Sequence, residues 1–255
     1  MSAPAAAPSS APPPFDPDSM QSRVPTELRA EGTWLRRCAR TLLGVVVSPQ
    51  RVFLRCPEPI DHGTALRFLA TLRLLPWLGL VAWLGAAFVV SPERELVTSR
   101  SIHVLLDPAM LEALSVWLLV MVPVGMPLLY FVCGLVSHVA VGLTGGASRS
   151  VGASMRAVGY AMGPALLGIA VLDVLLFTVG VDGNLFLGIA LGLVVVFLWS
   201  ASVGLARTHQ IHLLRALLVA LLPTVILFAA FAGRAALQLE ELPFVPEPAS
   251  PYVVP

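Results

Sequence analysis

The sequence predicts an all-α membrane protein: a polytopic bundle of five transmembrane helices preceded by an interfacial amphipathic helix. Three observations carry this. Of 255 residues, 57% are hydrophobic and 12% charged, against about 25% charged in a soluble domain. The charges gather at the two ends and in short gaps, leaving several stretches of about 18 residues or more with at most one charge, long enough to span a bilayer core. Before the first of these lies an arginine-rich run with apolar residues at helical spacing. Such a composition excludes a soluble enzyme, a nucleic-acid binder with a basic face, a disordered chain and a disulfide-stapled secreted domain.

The basic residues number 16 and all are arginine. With no lysine there is no P-loop lysine, no Schiff base to pyridoxal phosphate or retinal, and no catalytic lysine of any kind. The excess of Ala, Leu, Gly, Pro and Arg matches a GC-rich genome and points to a bacterial source. Cys38, Cys56 and Cys133 have no CxxC spacing, so metal and redox frameworks are disfavoured, and Cys133 inside an apolar run acts as a small hydrophobe.

Taken in order, residues 1–26 read as a disordered Pro/Ala-rich cytoplasmic tail. Pro4, Pro8, Pro12, Pro13, Pro14 and Pro17 occur there without the basic start and apolar centre of a signal peptide. Residues 27–67 form a cytoplasmic and interfacial segment. Within it Trp34, Leu35, Cys38, Leu42, Val45 and Val46 recur at helical spacing, with Arg36, Arg37 and Arg40 on other faces. That pattern predicts a helix over 34–47 lying in the headgroup region. Pro49 ends it, and Pro57 and Pro59 open a loop.

A five-span domain then occupies 68–236. The first span is 68–90, carrying Arg73. From 113 to 148 there is no charge; the span is placed at 114–136, kinked at Pro123 and Pro127, with 137–143 running along or out of the inner interface, because one straight helix would overshoot a core of about 30 Å. The third and fourth spans, 157–179 and 184–206, are joined by a four-residue turn and so form an antiparallel hairpin. The fifth is 216–233. Residues 237–255 form a Pro-rich outer tail, with no regular structure expected after Leu242.

Arginines set the orientation. With the N-terminus inside, twelve lie in cytoplasmic segments, from Arg23 through Arg67, then Arg149, Arg156, Arg207 and Arg215, while Arg94, Arg100 and Arg234 lie outside. The positive-inside rule favours this arrangement, with the C-terminus out.

The stretch GGASRSVGASMRAVGYAMGPALLG, with Gly145, Gly146, Ser150, Arg156, Tyr160 and Pro164, resembles the segment leading into the third helix of the YIP1 family of membrane proteins. There a Gly-Gly pair is followed by a Ser/Thr-rich turn, a basic residue, Tyr-Ala and a proline. TLLGVVVSPQRVFLR and LARTHQIHLLRALLVALLP are similar to the family's pre-membrane helix and to the segment between its fourth and fifth spans. The resemblance runs from residue 34 to 231; Gln50 stands where an arginine is frequent, and the Pro-rich N-terminus is extra. It implies a five-span domain with a cytosolic N-terminus. In eukaryotic relatives it implies work with Rab-type GTPases in vesicle trafficking, a partner that does not carry over to a bacterial setting.

Chemistry has few candidates. Asp173 is the one acid inside a span, an expensive place for a charge and by default a functional one. His138, its natural relay partner, should lie about 20 Å away along the membrane normal. A structural Asp173, paired with Arg234 or protonated and bonded to a neighbouring helix, is therefore favoured over a proton or ion site. His209 and His212 have no third ligand nearby and are expected in a polar loop with Arg207 and Arg215. Ser148, Ser150 and Ser154 show no general base in the sequence. The pairs Gly159 and Gly163, and Gly188 and Gly192, are GxxxG motifs that let helices approach, either within the bundle or at an oligomer face.

Two functional classes follow. The first is a non-enzymatic scaffold or assembly and trafficking-type protein in the bacterial cell membrane, contacting the lipid bilayer and other membrane proteins or itself, with no cofactor, metal or nucleic acid. The second is a small transporter or channel lined by Asp173, Tyr130, Ser200 and Thr224.

Overall fold

The computed structural model describes residues 24–27, 32–54, 60–90, 120–178 and 183–241. Every regular element among them is helical. The order is α1 (Trp34–Val47), α2 (Pro49–Val52), α3 (His62–Val90), a π-helical turn (Met121–Gly125) continuing into α4 (Met126–Leu143), α5 (Val151–Thr178), α6 (Gly183–His209) and α7 (Leu213–Glu241).

Helix α5 is the axis of the bundle. The pairings of Ile60 and His62 with Gly152, and of Phe68 with Gly163, set α3 parallel to it. Tyr130 opposite Gly159, and Met155 opposite Gly134, set α4 antiparallel. On another side α6 runs antiparallel, with Leu193 against Gly168 and Gly204 against Ala157. The last helix, α7, closes the bundle against α4 and α6. One end therefore collects the start of α3, the end of α4, the start of α5, the end of α6 and the start of α7, and with them His62, His138, His209 and His212. We call it the histidine end.

Two helix stops follow from local chemistry. At the end of α4, Gly145 adopts φ +85°. Its N–H donates to Gly142 O and that of Gly146 to Val141 O, a Schellman cap that needs a left-handed residue at Gly145. Ser48 closes α1 by donating its N–H to Gly44 O, and Pro49, lacking an N–H, opens α2 at its first turn.

Among the described residues four helices are long and apolar enough to cross a membrane: Val122–Leu143, Val151–Leu172, Leu185–His209 and Leu213–Ala230. Their outward faces carry Leu128, Leu135, Leu187, Leu191, Val195, Leu218 and Val225, all exposed, an apolar belt far larger than soluble monomers tolerate. Of the second span expected at 114–136, residues 114–119 lie outside the described residues, and the helix continues past the expected end. It runs unbroken through Ser137 to Leu143; Ser137 satisfies its hydroxyl on Cys133 O one turn back and is fully buried with Val141. The irregularity expected at Pro123 and Pro127 is there, as the π-helical turn and the first turn of α4. Helix α7 extends to Glu241, into the stretch expected as outer tail.

The arginine-rich helix α1 lies on the bundle. Its Cys38, Thr41 and Val45 are buried, packed against α5 and α6. Trp34 donates its indole N–H to Thr71 of α3 at 2.9 Å, with the Arg37 and Arg67 guanidinium groups 5.5 and 4.6 Å from its ring centre. Leu35, Leu43 and Val47 point away from the protein.

Candidate functional site

The first half of α5 is where the polar chemistry converges. Its side chains from Gly152 to Gly163 are almost all buried, and successive ones meet different partners. Gly152 faces Ile60 and His62 of the α3 entry, and Gly159 and Gly163 form flat seats for the rings of Tyr130 and Phe68. A Cβ at either glycine would collide with its ring, so this GxxxG pair accommodates aromatic side chains within the bundle. Tyr130 in turn holds His62 Nδ1 at 2.7 Å.

Arg156 and Tyr160 receive the N-terminal segment. Val24 is fully buried and Thr26 nearly so. Arg156 donates from Nε to Glu27 Oε1 and from Nη2 to Glu27 Oε2, both at 2.7 Å, a two-pronged guanidinium–carboxylate pair. Thr26 donates its hydroxyl to the Tyr160 hydroxyl at 3.1 Å and its backbone N–H to Thr41 Oγ1 of α1 at 3.1 Å. The Arg156 side chain is 2% exposed and that of Glu27 9%. A permanently charged guanidinium at that depth requires an anion, and removing one member of such a pair costs about 3–5 kcal/mol. The boundary expected at residue 26 thus falls within a packed segment.

A second cluster joins α4, α5 and α6. The Ser154 hydroxyl lies 2.7 Å from His209 Nε2 and 3.0 Å from His138 Nδ1. Having one proton, it donates to one imidazole and accepts from the other. The sequence expectation that Ser154 has no base nearby is corrected, since the two histidines come from positions 16 residues before it and 55 after it, beyond any local pattern. His209, expected in a polar loop, is instead 2% exposed. Ser154 is fully buried, and among the described residues no acid bonds to His209 Nδ1 to orient the imidazole. No group of three His, Cys, Asp or Glu suited to a metal occurs among the described residues. His212 is separate and exposed, its Nδ1 accepting from Leu214 N–H.

The remaining sequence candidates fall in different places. Gly146 packs against Ile211 and the Arg215 guanidinium, and Arg215 Nη2 donates to Val141 O, so the Gly-Gly turn anchors the start of α7. Pro164 lines an apolar groove of about 350 Å³ with Leu42 and Val46 of α1 and with Leu167, Val171 and Ile189. Gly188 and Gly192 are exposed, with nothing among the described residues within 4 Å of an added Cβ. Asp173 and Arg234 lie on α5 and α7, and their side chains are outside the described residues. Tyr130, Ser200 and Thr224 are buried on three helices, and the latter two bond to Val45 O and Ala220 O.

The Yip1 domain family model matches residues 43–233, well over half of the chain. The protein belongs to the YIP1 family. Comparison with curated proteins and with solved structures finds no match. The Yip1 domain and the four apolar helices make it an integral membrane protein. Arg156, Tyr160 and the Ser154 cluster lie inside the Yip1 domain, whereas Glu27 and its neighbours precede the matched residues.

Proposed function

We propose that this YIP1-family protein is a non-enzymatic membrane scaffold or assembly and trafficking-type factor that works through contacts with other membrane proteins. The observation that carries this reading is the use of the polar groups in α5. Ser154, Arg156 and Tyr160 are each bound by another part of the chain and are buried from any small substrate. Tyr130 bonds to His62, Ser200 to a carbonyl of α1, and Thr224 to its own helix, which supports a packed interior over a conducting path.

In this reading α3, a 29-residue helix, is the first of five spans. The histidine end faces the cytoplasm of a bacterial cell, and the C-terminus lies outside. Helix α1 rests at the inner interface, with Leu35, Leu43 and Val47 toward lipid and Arg36 and Arg40 toward headgroups. In-situ crosslinking in the native membrane, followed by identification of the products, tests the function. Reproducible protein partners are expected. A protein that crosslinks to nothing, and whose Asp173→Asn variant keeps its stability while losing a proton-coupled flux, is a transporter instead.

A further inference from the structure

We propose that the Arg156–Tyr160 pocket is a receptor site for an acidic peptide segment, and that residues 24–27 are its tethered ligand, exchangeable for an equivalent segment of another polypeptide. The inference deepens the protein-contact reading by naming the chemistry of the partner, and it rests on that reading for its biological use.

The pocket reads four features of a peptide. Arg156 presents Nε and Nη2 to both oxygens of one carboxylate, a planar match that an isolated point charge does not need. The Tyr160 hydroxyl accepts from the Thr26 hydroxyl, and Thr41 Oγ1 accepts from the Thr26 backbone N–H. Val24 fills an apolar hole and is fully buried. A free anion would satisfy only the first of these. The ligand is therefore a turn, closed by the Glu27 N–H donating to Val24 O, with a β-branched apolar residue, then a threonine and a glutamate two and three positions on.

Two features mark this contact as one that can exchange. The receptor groups Arg156 and Tyr160 belong to the Yip1 domain, but the segment that fills the pocket lies outside the matched residues. In addition, the filling segment is a short turn that precedes α1 along the chain, and it meets the bundle through the side chains of Thr41, Arg156 and Tyr160. Because a buried guanidinium requires a counter-anion, the domain selects for a carboxylate whenever the internal one leaves. A short tether supplies its ligand at an effective concentration of about millimolar, so a competing segment succeeds when a partner concentrates it at the same membrane surface.

The test uses the full-length protein in detergent and a fluorescent peptide of residues 22–30, with the same peptide carrying Glu27→Gln as control. The double variant Val24→Ala with Glu27→Gln should bind the acidic peptide at least tenfold more tightly than wild type does. The control peptide should not bind, and adding Arg156→Gln should abolish binding. A folded double variant that takes up neither peptide, or takes up both equally, overturns the proposal. A second measurement does not depend on that variant: Thr26→Cys, in a Cys56→Ser background, should react with a maleimide faster than buried Cys133, and faster again with excess acidic peptide. Labelling as slow as that of Cys133 under both conditions overturns exchange. If peptide binding fails while in-situ partners are found, the pocket assignment falls and the scaffold reading stands. If the peptide binds and no partner is found, the reverse holds. Mixed copies with two tags separate a segment donated by a second copy from one donated by another protein.

Discussion

At the scale of single residues, two side chains show how burial changes chemistry. Arg156 and Glu27 lie 129 positions apart in sequence and 2.7 Å apart in space. Arg156→Leu should destabilise the protein by about 3–5 kcal/mol, while the double change with Glu27→Leu should cost much less, since it leaves no unmatched charge. Thermal melting of the two variants in detergent checks this, and additive losses would argue against the pair. Cys38, outside the spans, has its thiol pushed up to about 11 by burial, with Arg37 and Arg67 acting weakly in the opposite direction. Its alkylation at pH 7.5 should therefore be slow, rising only as the pH approaches 11. The same raised value means that folding favours the neutral thiol. Its contribution to stability is complete below the unfolded value of 9 and is lost as pH rises through about 11. Iodoacetamide labelling followed by mass spectrometry across pH 7–11 checks the first statement, and thermal melting in detergent across the same range checks the second.

At the scale of elements, the crossing of α4 and α5 and the open face of α6 use glycine differently. A Cβ at Gly134 would sit 2.6 Å from the Met155 backbone, so Gly134→Ala forces α4 and α5 apart and should cost about 1–3 kcal/mol. Gly188→Ala and Gly192→Ala meet nothing within 4 Å among the described residues. They should leave the monomer as stable or more so, by up to about 1 kcal/mol of helix propensity. Detergent melting ranks the three variants. Native electrophoresis adds a second readout, because a smaller oligomer with Gly188→Ala would mean that the open face packs against another chain.

At the scale of the whole molecule, the proposed arrangement of five spans with the histidine end inside predicts that a cytoplasm-active reporter works when fused after residue 20 and fails when fused after Tyr252. Activity at both positions would require an even number of spans and would remove α3 or one of its neighbours from the membrane. The helical bundle, its apolar belt and the proline irregularity before α4 were legible in the sequence, because each follows from composition or local spacing, and the YIP1 membership was legible as the resemblance of three short segments to that family. Long uncharged stretches must be helical in lipid, where every backbone group needs an internal partner, and Pro123 cannot donate into a regular α-helix. Local spacing also placed α1 at Trp34–Val47, and a Gly-Gly pair followed by a polar turn marked the α4–α5 connection. What only the tertiary structure decided is which polar groups meet: Glu27 with Arg156, Thr26 with Tyr160, and Ser154 with His138 and His209. Those partners come from segments up to 134 residues apart, and no helical period or short motif carries that distance. The packing of α5 against α1, α3, α4 and α6 brings them together, and it turns Val24, Thr26 and Glu27, which follow a Pro/Ala-rich stretch in the sequence, into part of the core.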